Sequence, residues 1–340
     1  MRFANRTGVR VAIATAATGA LAAGAFAVMT SASASQHGAS PNHAADSHGV
    51  MGVHATAYSF RTVDNAADLT FNQLLGINNS GVIAGYFGSG AQGHPNMGYL
   101  LTPGGYRSEN FPGSVQTQVT GLNDSGVTVG FWSGMNNASM SNNNFGFYAE
   151  NGQGFHSVAF PTANNANPPV NQLLGVNDHD VAVGFYTDAK GTNHGYEYSI
   201  AGGSFTRVTE PGHPGASLTA AAINNHGDVA GFYTGPGGKT DAFLKTAGGQ
   251  FAGLAYPGAS ATQAFGVNDN DEVVGVYTDG SGNSATMHGF TWTPGGGFSS
   301  VDDPQGRGAT TINGVNDHGD LVGFYTGPHG NTDGMLAIHH

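Results

Sequence analysis

The sequence predicts an all-β fold: a six-bladed β-propeller with four antiparallel strands per blade, closed by the N-terminal strand completing the last blade. Three observations predict it. A Gly/Ala-Ile/Val/Leu-Asn-Asn/Asp element recurs six times, at spacings of 45, 54, 47, 44 and 48 residues, a period that suits propeller blades. Short runs rich in Val and aromatics follow each recurrence, punctuated by Gly, Asn, Asp and Pro, with no sustained helical period. The last recurrence lacks a fourth strand, and a segment of matching pattern stands ahead of the first.

The landmarks are Gly76-Ile77-Asn78-Asn79, Gly121-Leu122-Asn123-Asp124, Gly175-Val176-Asn177-Asp178, Ala222-Ile223-Asn224-Asn225, Gly266-Val267-Asn268-Asp269 and Gly314-Val315-Asn316-Asp317. Each ends the first strand of its unit. Second strands read Val82 to Phe87 and Val181 to Tyr186, third strands Gly98 to Leu101 and Gly195 to Tyr198, and fourth strands Gly297 to Val301 and Ser204 to Val208. The final unit stops after its third strand, Gly334 to Ile338, while Tyr58 to Asp64 matches Gly297 to Asp303. The front segment therefore supplies the missing strand and locks the ring, leaving only short, protected sheet edges. The small Gly or Ala of the landmark suits an innermost strand, where backbones crowd the axis. Short turns then share one face, and the long connections Ser133 to Phe145, Pro161 to Asn171 and Pro211 to Leu218 share the other. Variable loops on a rigid scaffold are where binding normally sits.

Composition narrows the function classes. The chain has 340 residues, 10 Lys+Arg against 22 Asp+Glu, a formal charge of −12, 56 Gly and no Cys. The acid excess argues against nucleic acid as partner, because phosphate neutralisation needs clustered Lys and Arg. The lack of Cys excludes disulfides, thiolate metal sites and cysteine nucleophiles. Residues 1–34 read as a signal peptide: Arg2, Arg6 and Arg10 precede an apolar Val11 to Met29 stretch, and Ala32-Ser33-Ala34 fits the cleavage site. Its removal takes the charge from −12 to −15, since it carries three Arg and no acid. Residues 35–56 read as a flexible linker holding His37, His43, His48 and His54, and residues 57–340 as a single propeller domain. The expectation is a secreted monomer with no membrane span after cleavage.

The unit Gly-Ile/Val-Asn-Asp-x-Gly, then Val-Gly-Phe-Tyr-Thr and His-Gly-Phe, closing on Phe-x-x-Val-x-x-Pro-Gly-Ala, resembles the HAF-repeat (probable extracellular repeat) family. Unit five shows it best, in Gly266 to Asp269, Gly275 to Asp279, His288-Gly289-Phe290 and the upstream Tyr256-Pro257-Gly258-Ala259. The resemblance covers Tyr58 to the C-terminus. Unit two departs from it, with Trp132, an Asn/Ser/Met-rich loop from Gly134 to Asn144, and Phe145 where other units carry His or Asp. The family name implies export and repetition, and no particular reaction or ligand.

Candidate chemistry is weighed against turn and core roles. Asn268-Asp269-Asn270-Asp271 and its counterparts look like acidic calcium loops, but Asn or Asp opening a tight turn and Gly closing it explain them as turn chemistry. The aromatics Phe87, Trp132, Tyr186, Tyr233, Tyr277 and Tyr325 suit packing between blades. Trp132 is singled out because it begins the longest polar loop. Met97, Phe145, His194, Asp241, His288 and Asp333 share one position, too dispersed around a six-fold ring to share a zinc ion. Three residues ahead of each landmark stand Gln73, Gln118, Gln172, Thr219, Gln263 and Thr311, expected to ring the channel mouth on the long-loop face. With Trp132 they are the candidate ligand-binding residues. No Gly-x-Ser-x-Gly elbow, His-Glu-x-x-His or phosphate-cradling loop occurs, and no catalytic residue, metal site or cofactor is assigned. The reading is a non-catalytic module binding a carbohydrate or an extracellular protein; the alternative is an extracellular hydrolase or lyase acting on sugars or small esters.

Overall fold

The computed structural model describes residues 58–91, 93–134, 144–150, 153–161 and 169–340. The signal peptide and His-containing linker, most of the loop after Trp132 and most of the Pro161 to Asn171 loop lie outside them. Strand β1 (Tyr58–Thr62) begins this portion. The strands β2 (Asn72–Ile77), β3 (Ile83–Phe87), β4 (Met97–Thr102) and β5 (Gly105–Ser108) form a four-stranded antiparallel sheet in chain order. So do β6 (Ser114–Leu122), β7 (Val127–Gly134), β8 (Phe145–Glu150) and β9 (Gln153–Val158). A third such sheet holds β10 (Asn171–Val176), β11 (Val181–Thr187), β12 (Asn193–Ser199) and β13 (Ser204–Arg207). Next come β14 (Ser217–Ile223), β15 (Val229–Thr234), β16 (Thr240–Lys245), β17 (Phe251–Leu254), β18 (Ala261–Val267), β19 (Val273–Asp279), β20 (Thr286–Thr293) and β21 (Gly297–Val301). These eight belong to one sheet, in place of the two expected. Its two antiparallel runs, β14 to β17 and β18 to β21, meet through a single parallel pair, Thr240 with Ala261.

The chain ends with β22 (Thr310–Val315), β23 (Leu321–Thr326) and β24 (Thr332–His339), and β1 adds to β24 as the fourth strand. The register runs from Tyr58 opposite His339 to Thr62 opposite Met335. Beyond the ladder, Val63 N–H donates to Gly334 O at 2.9 Å, and Gly334 N–H donates to Asp64 Oδ1 at 2.9 Å. The pairing matches the sequence expectation. The architecture is an all-β propeller arrangement of antiparallel four-stranded sheets. Among the described residues no helix is long and apolar enough to cross a membrane.

The landmark glycines explain how the inner strands meet. A Cβ on Gly76 would lie 3.2 Å from Gly121 Cα, and one on Gly121 would lie 3.1 Å from Gly175 Cα. The same relation links Gly175 to Ala222, Gly266 to Gly314, and Gly314 back to Gly76. In these five relations one inner strand leans on the next at backbone distance, and the last of them returns from Gly314 to Gly76. A bulge follows the same position in all six inner strands, as between Leu74 and Gly76 or Ala220 and Ala222. It brings the carbonyls of Gln73, Gln118, Gln172, Thr219, Gln263 and Thr311 over the second strand. Gly85, Gly130, Gly184, Gly231, Gly275 and Gly323 sit beneath them, where any Cβ would collide with that oxygen.

Hydrophobic clusters form between neighbouring sheets. Val127 and Val129 pack with Leu173, Tyr186 and Tyr196, while Ala84 and Leu100 pack with Val119 and Phe147. Val322 packs with Leu74 and Ile83, closing the circle. Along the inner strands Leu75, Thr120, Leu174, Ala221, Phe265 and Asn313 are all buried. The axis at that level is a filled core.

Candidate functional site

The six short turns converge at one end of the axis. In each, the first Asn turns its side chain back on the chain. Asn78 Oδ1 accepts the N–H of Val82, and Asn123, Asn177, Asn224, Asn268 and Asn316 accept those of Val127, Val181, Asp228, Glu272 and Asp320, at 2.8–3.1 Å. This is the Asx-turn chemistry expected of these residues. Gly closes four of the turns with positive φ, and Asp180 (φ 55°) and Asp271 (φ 58°) take that conformation in the other two.

The same Asn residues also tie the units together. Asn78 Nδ2 donates to Asn123 O, Asn123 to Asn177 O, Asn177 to Asn224 O, Asn224 to Asn268 O, Asn268 to Asn316 O, and Asn316 to Asn78 O, at 2.9–3.4 Å. A second closed circuit lies beside it. The backbone N–H of Asn79, Asp124, Asp178, Asn225, Asp269 and Asp317 each donates to the side-chain Oδ1 of the next, at 2.7–2.8 Å, with Asp317 returning to Asn79. The four remaining carboxylate oxygens each accept from an Asn amide. Asn79 Nδ2 serves Asp124 and Asp317 at 2.9 and 2.7 Å, and Asn225 Nδ2 serves Asp178 and Asp269 at 2.9 Å each. A shallow cavity of ≈ 70 Å³ opens here, lined by these turns over a floor of Ile77, Leu122, Val176, Ile223, Val267 and Val315. Sequence reasoning identified the turns but not the circuits, which join residues 44 to 238 positions apart.

At the other end of the inner strands stand the Gln/Thr residues expected to ring the channel mouth. Gln73, Gln172, Thr219 and Thr311 are buried, and Gln118 and Gln263 partly so. Side chains of three of them bond to residues of the second strand or of the preceding unit. Gln73 Oε1 accepts from Tyr86 OH at 2.7 Å, Gln118 Nε2 donates to Asn96 Oδ1 at 2.9 Å, and Thr219 Oγ1 accepts from Asn193 Nδ2 at 3.3 Å. Trp132, on β7, stacks on Phe111 at 4.2 Å between centroids and 2° between planes, with Phe145 at 5.0 Å. Three atoms of this set are buried and have no hydrogen-bond partner among the described residues: Gln73 Nε2, Gln118 Oε1 and Trp132 Nε1. Such groups are rare in folded proteins and call for an explanation.

The remaining candidates are dispersed. His194 pairs with Asp188 at 2.9 Å and His288 with Asp302 at 2.7 Å, on different sheets. Tyr186 stacks on Phe160 at 4.4 Å beneath Arg207, and Tyr277 on Tyr256 at 3.6 Å. These aromatics pack within the protein. One unpredicted cluster does converge: a ligand atom from each of His226, Asp228 and Asp271 lies within 4.8 Å of the other two. Burial foremost, then the neighbouring Asp228 carboxylate, pushes the Asp271 carboxyl above the usual range.

No family model matches the chain, and no curated protein matches its sequence. Among solved structures it is similar to AofleA from Arthrobotrys oligospora, at 13% identity and a TM-score of 0.50, over 84% of this chain and 86% of that one. It is also similar to the Aleuria aurantia lectin in complex with Fucα1-6GlcNAc, at 11% identity and a TM-score of 0.45, over 77% of this chain and 90% of that one. TolB from Acinetobacter baumannii matches at 10% identity and a TM-score of 0.47 over 76% of this chain, which spans 64% of the TolB chain. At these identities the likeness speaks to fold alone, the β-propeller arrangement.

Proposed function

We propose that the protein is a secreted, monomeric, non-catalytic six-bladed propeller that binds a carbohydrate on the long-loop face. In this reading the eight-stranded sheet is two blades joined at the Thr240–Ala261 pair. The signal peptide ends at Ala34, and the tether over residues 35–56 carries the domain beginning at residue 57. The observation that supports a ligand is the pair of unpartnered polar atoms on the half-buried Gln118 and Trp132, with the fully buried Gln73 behind them. An amide carbonyl and an indole N–H beside an aromatic stack are groups that sugar hydroxyls and sugar ring faces engage. Gln118 and Trp132 both lie on the second sheet, where Trp132 leads into the long polar loop. In this reading Gln172, Thr219, Gln263 and Thr311 are the corresponding positions of the other units.

The test is a glycan array probed with residues 35–340, alongside Trp132→Ala and Gln118→Ala. The expected result is retention of one glycan class by the parent and its loss in both variants, with unchanged far-ultraviolet circular dichroism. Retention by both variants, an empty array, or turnover of glycosides or esters by the parent overturns the reading.

A further inference from the structure

We propose that His226, Asp228 and Asp271 form a binding site for a divalent transition-metal ion such as zinc, held across the junction of two adjacent turns. The unit carrying Asn224 supplies His226 and Asp228, and the next unit supplies Asp271. Each residue offers one ligand atom within 4.8 Å of the other two. Zinc–ligand bonds of about 2.0–2.2 Å place ligand atoms about 3.4 Å apart in a tetrahedral site. The exposed His226 ring supplies the freedom to close that gap.

Two further observations point to a cation. Asp228 is only 8% exposed. One of its oxygens accepts the Ala247 N–H at 2.7 Å; the carboxylate receives no other N–H donor among the described residues and lies within hydrogen-bonding reach of a second carboxyl, that of Asp271. No Lys or Arg among the described residues pairs with either acid. A buried carboxylate facing another is costly unless a proton or a cation lies between them. Both acids are also held in place, as metal ligands usually are. The Ala247 N–H fixes Asp228, and Asn224 Nδ2 donates to Asp271 Oδ1 at 3.4 Å. The junction is unlike the others. Where Asp228 meets Asp271, the preceding junction sets Val181 against Gly227 and the following one Glu272 against Gly319. The imidazole favours a zinc-like ion over calcium, which takes oxygen ligands alone.

The experiment uses the full chain stripped of metal with a chelator and titrated with zinc by calorimetry, with bound metal counted by mass spectrometry. His226→Ala and Asp271→Gly are the variants, and His318→Ala is the control for other surface histidines. Glycine already closes four of the six turns, so Asp271→Gly keeps the fold. The expected result is a zinc equivalent in the parent and in His318→Ala whose affinity falls at least about tenfold in both cluster variants. Equal zinc affinity and stoichiometry in all four proteins, no zinc bound by the parent, or calcium binding indifferent to His226→Ala overturns the proposal.

Discussion

Asn225→Asp is nearly isosteric and tests whether the amide–carboxylate circuit holds the ring together. Asn225 Oδ1 accepts the Asp178 N–H at 2.7 Å, and a carboxylate keeps that bond. The Nδ2 donors to Asp178 and Asp269, each at 2.9 Å, are lost. At about 1 kcal/mol net per bond, this costs about 2 kcal/mol. The new charge also faces two carboxylates, and repulsion in a water-like medium adds about 1 kcal/mol for each at 4 Å. The expected loss is therefore about 4 kcal/mol at pH 7, read from urea unfolding followed by tryptophan fluorescence and circular dichroism. Lowering the pH through the ordinary carboxylate range restores a donor and removes a charge, so the deficit shrinks as the solution is acidified. Asp178→Asn, which removes a charge and at most one bond, costs no more than about 1 kcal/mol. A loss below about 1 kcal/mol for Asn225→Asp, or a loss that does not change with pH, would refute the assignment of the circuit as a stabilising element.

Gly184→Ala drives a Cβ into the Gln172 carbonyl, whereas Gly191→Ala meets open space at φ +83°; the first abolishes soluble expression, and the second lowers the melting temperature only slightly. Removal of residues 58–64 exposes the edge of β24 and strips Gly334 of both its Val63 and Asp64 partners, so size-exclusion chromatography reports association or aggregation of the shortened chain. Burial raises the Glu109 carboxyl, while a hydrogen bond from Thr128 at 2.8 Å and, secondarily, Arg107 at 3.6 Å oppose the shift. A folded carboxyl raised above its unfolded value holds its proton more tightly when folded, so its contribution to stability falls as pH rises from the ordinary carboxylate range. Glu109→Gln therefore matches or exceeds the parent in stability at pH 8, and the difference closes toward pH 4. A parent that gains stability relative to this variant on going from pH 4 to pH 8 contradicts the sign.

The strands, their order and the lock made by Tyr58–Thr62 were legible because each repeats a local pattern: a hydrophobic run, a Gly, an Asx turn. The Asn of each turn was legible in half of its role. Its Oδ1 bonds a backbone N–H four residues on, which local sequence reveals, while its Nδ2 reaches a carbonyl in the next unit, which only the closed ring positions. The same limit hid His226, Asp228 and Asp271, since the third member lies 43 residues beyond the second. For Gln73 and its counterparts, sequence spacing placed them on the inner strands. Their partners, such as Tyr86 for Gln73 and Asn193 for Thr219, lie on other strands and take most of these side chains out of solvent, which no count of polar residues reveals. The joining of two expected sheets into one rests on a single residue pair, Thr240 with Ala261, and no pattern signals it.

The order of side chains in the second circuit is Asn, Asp, Asp, Asn, Asp, Asp. An amide nitrogen carries two hydrogens, so two Asn residues supply the four carboxylates when they stand opposite one another. Half a turn about the axis then maps the chemistry of the ring onto itself. A chain of three such units carries one full set of donors and acceptors but leaves an unmatched end on each side. Two identical copies of that half-length chain, related by a two-fold axis, would match both ends, so a homodimer could close the circuit that this protein closes within one polypeptide.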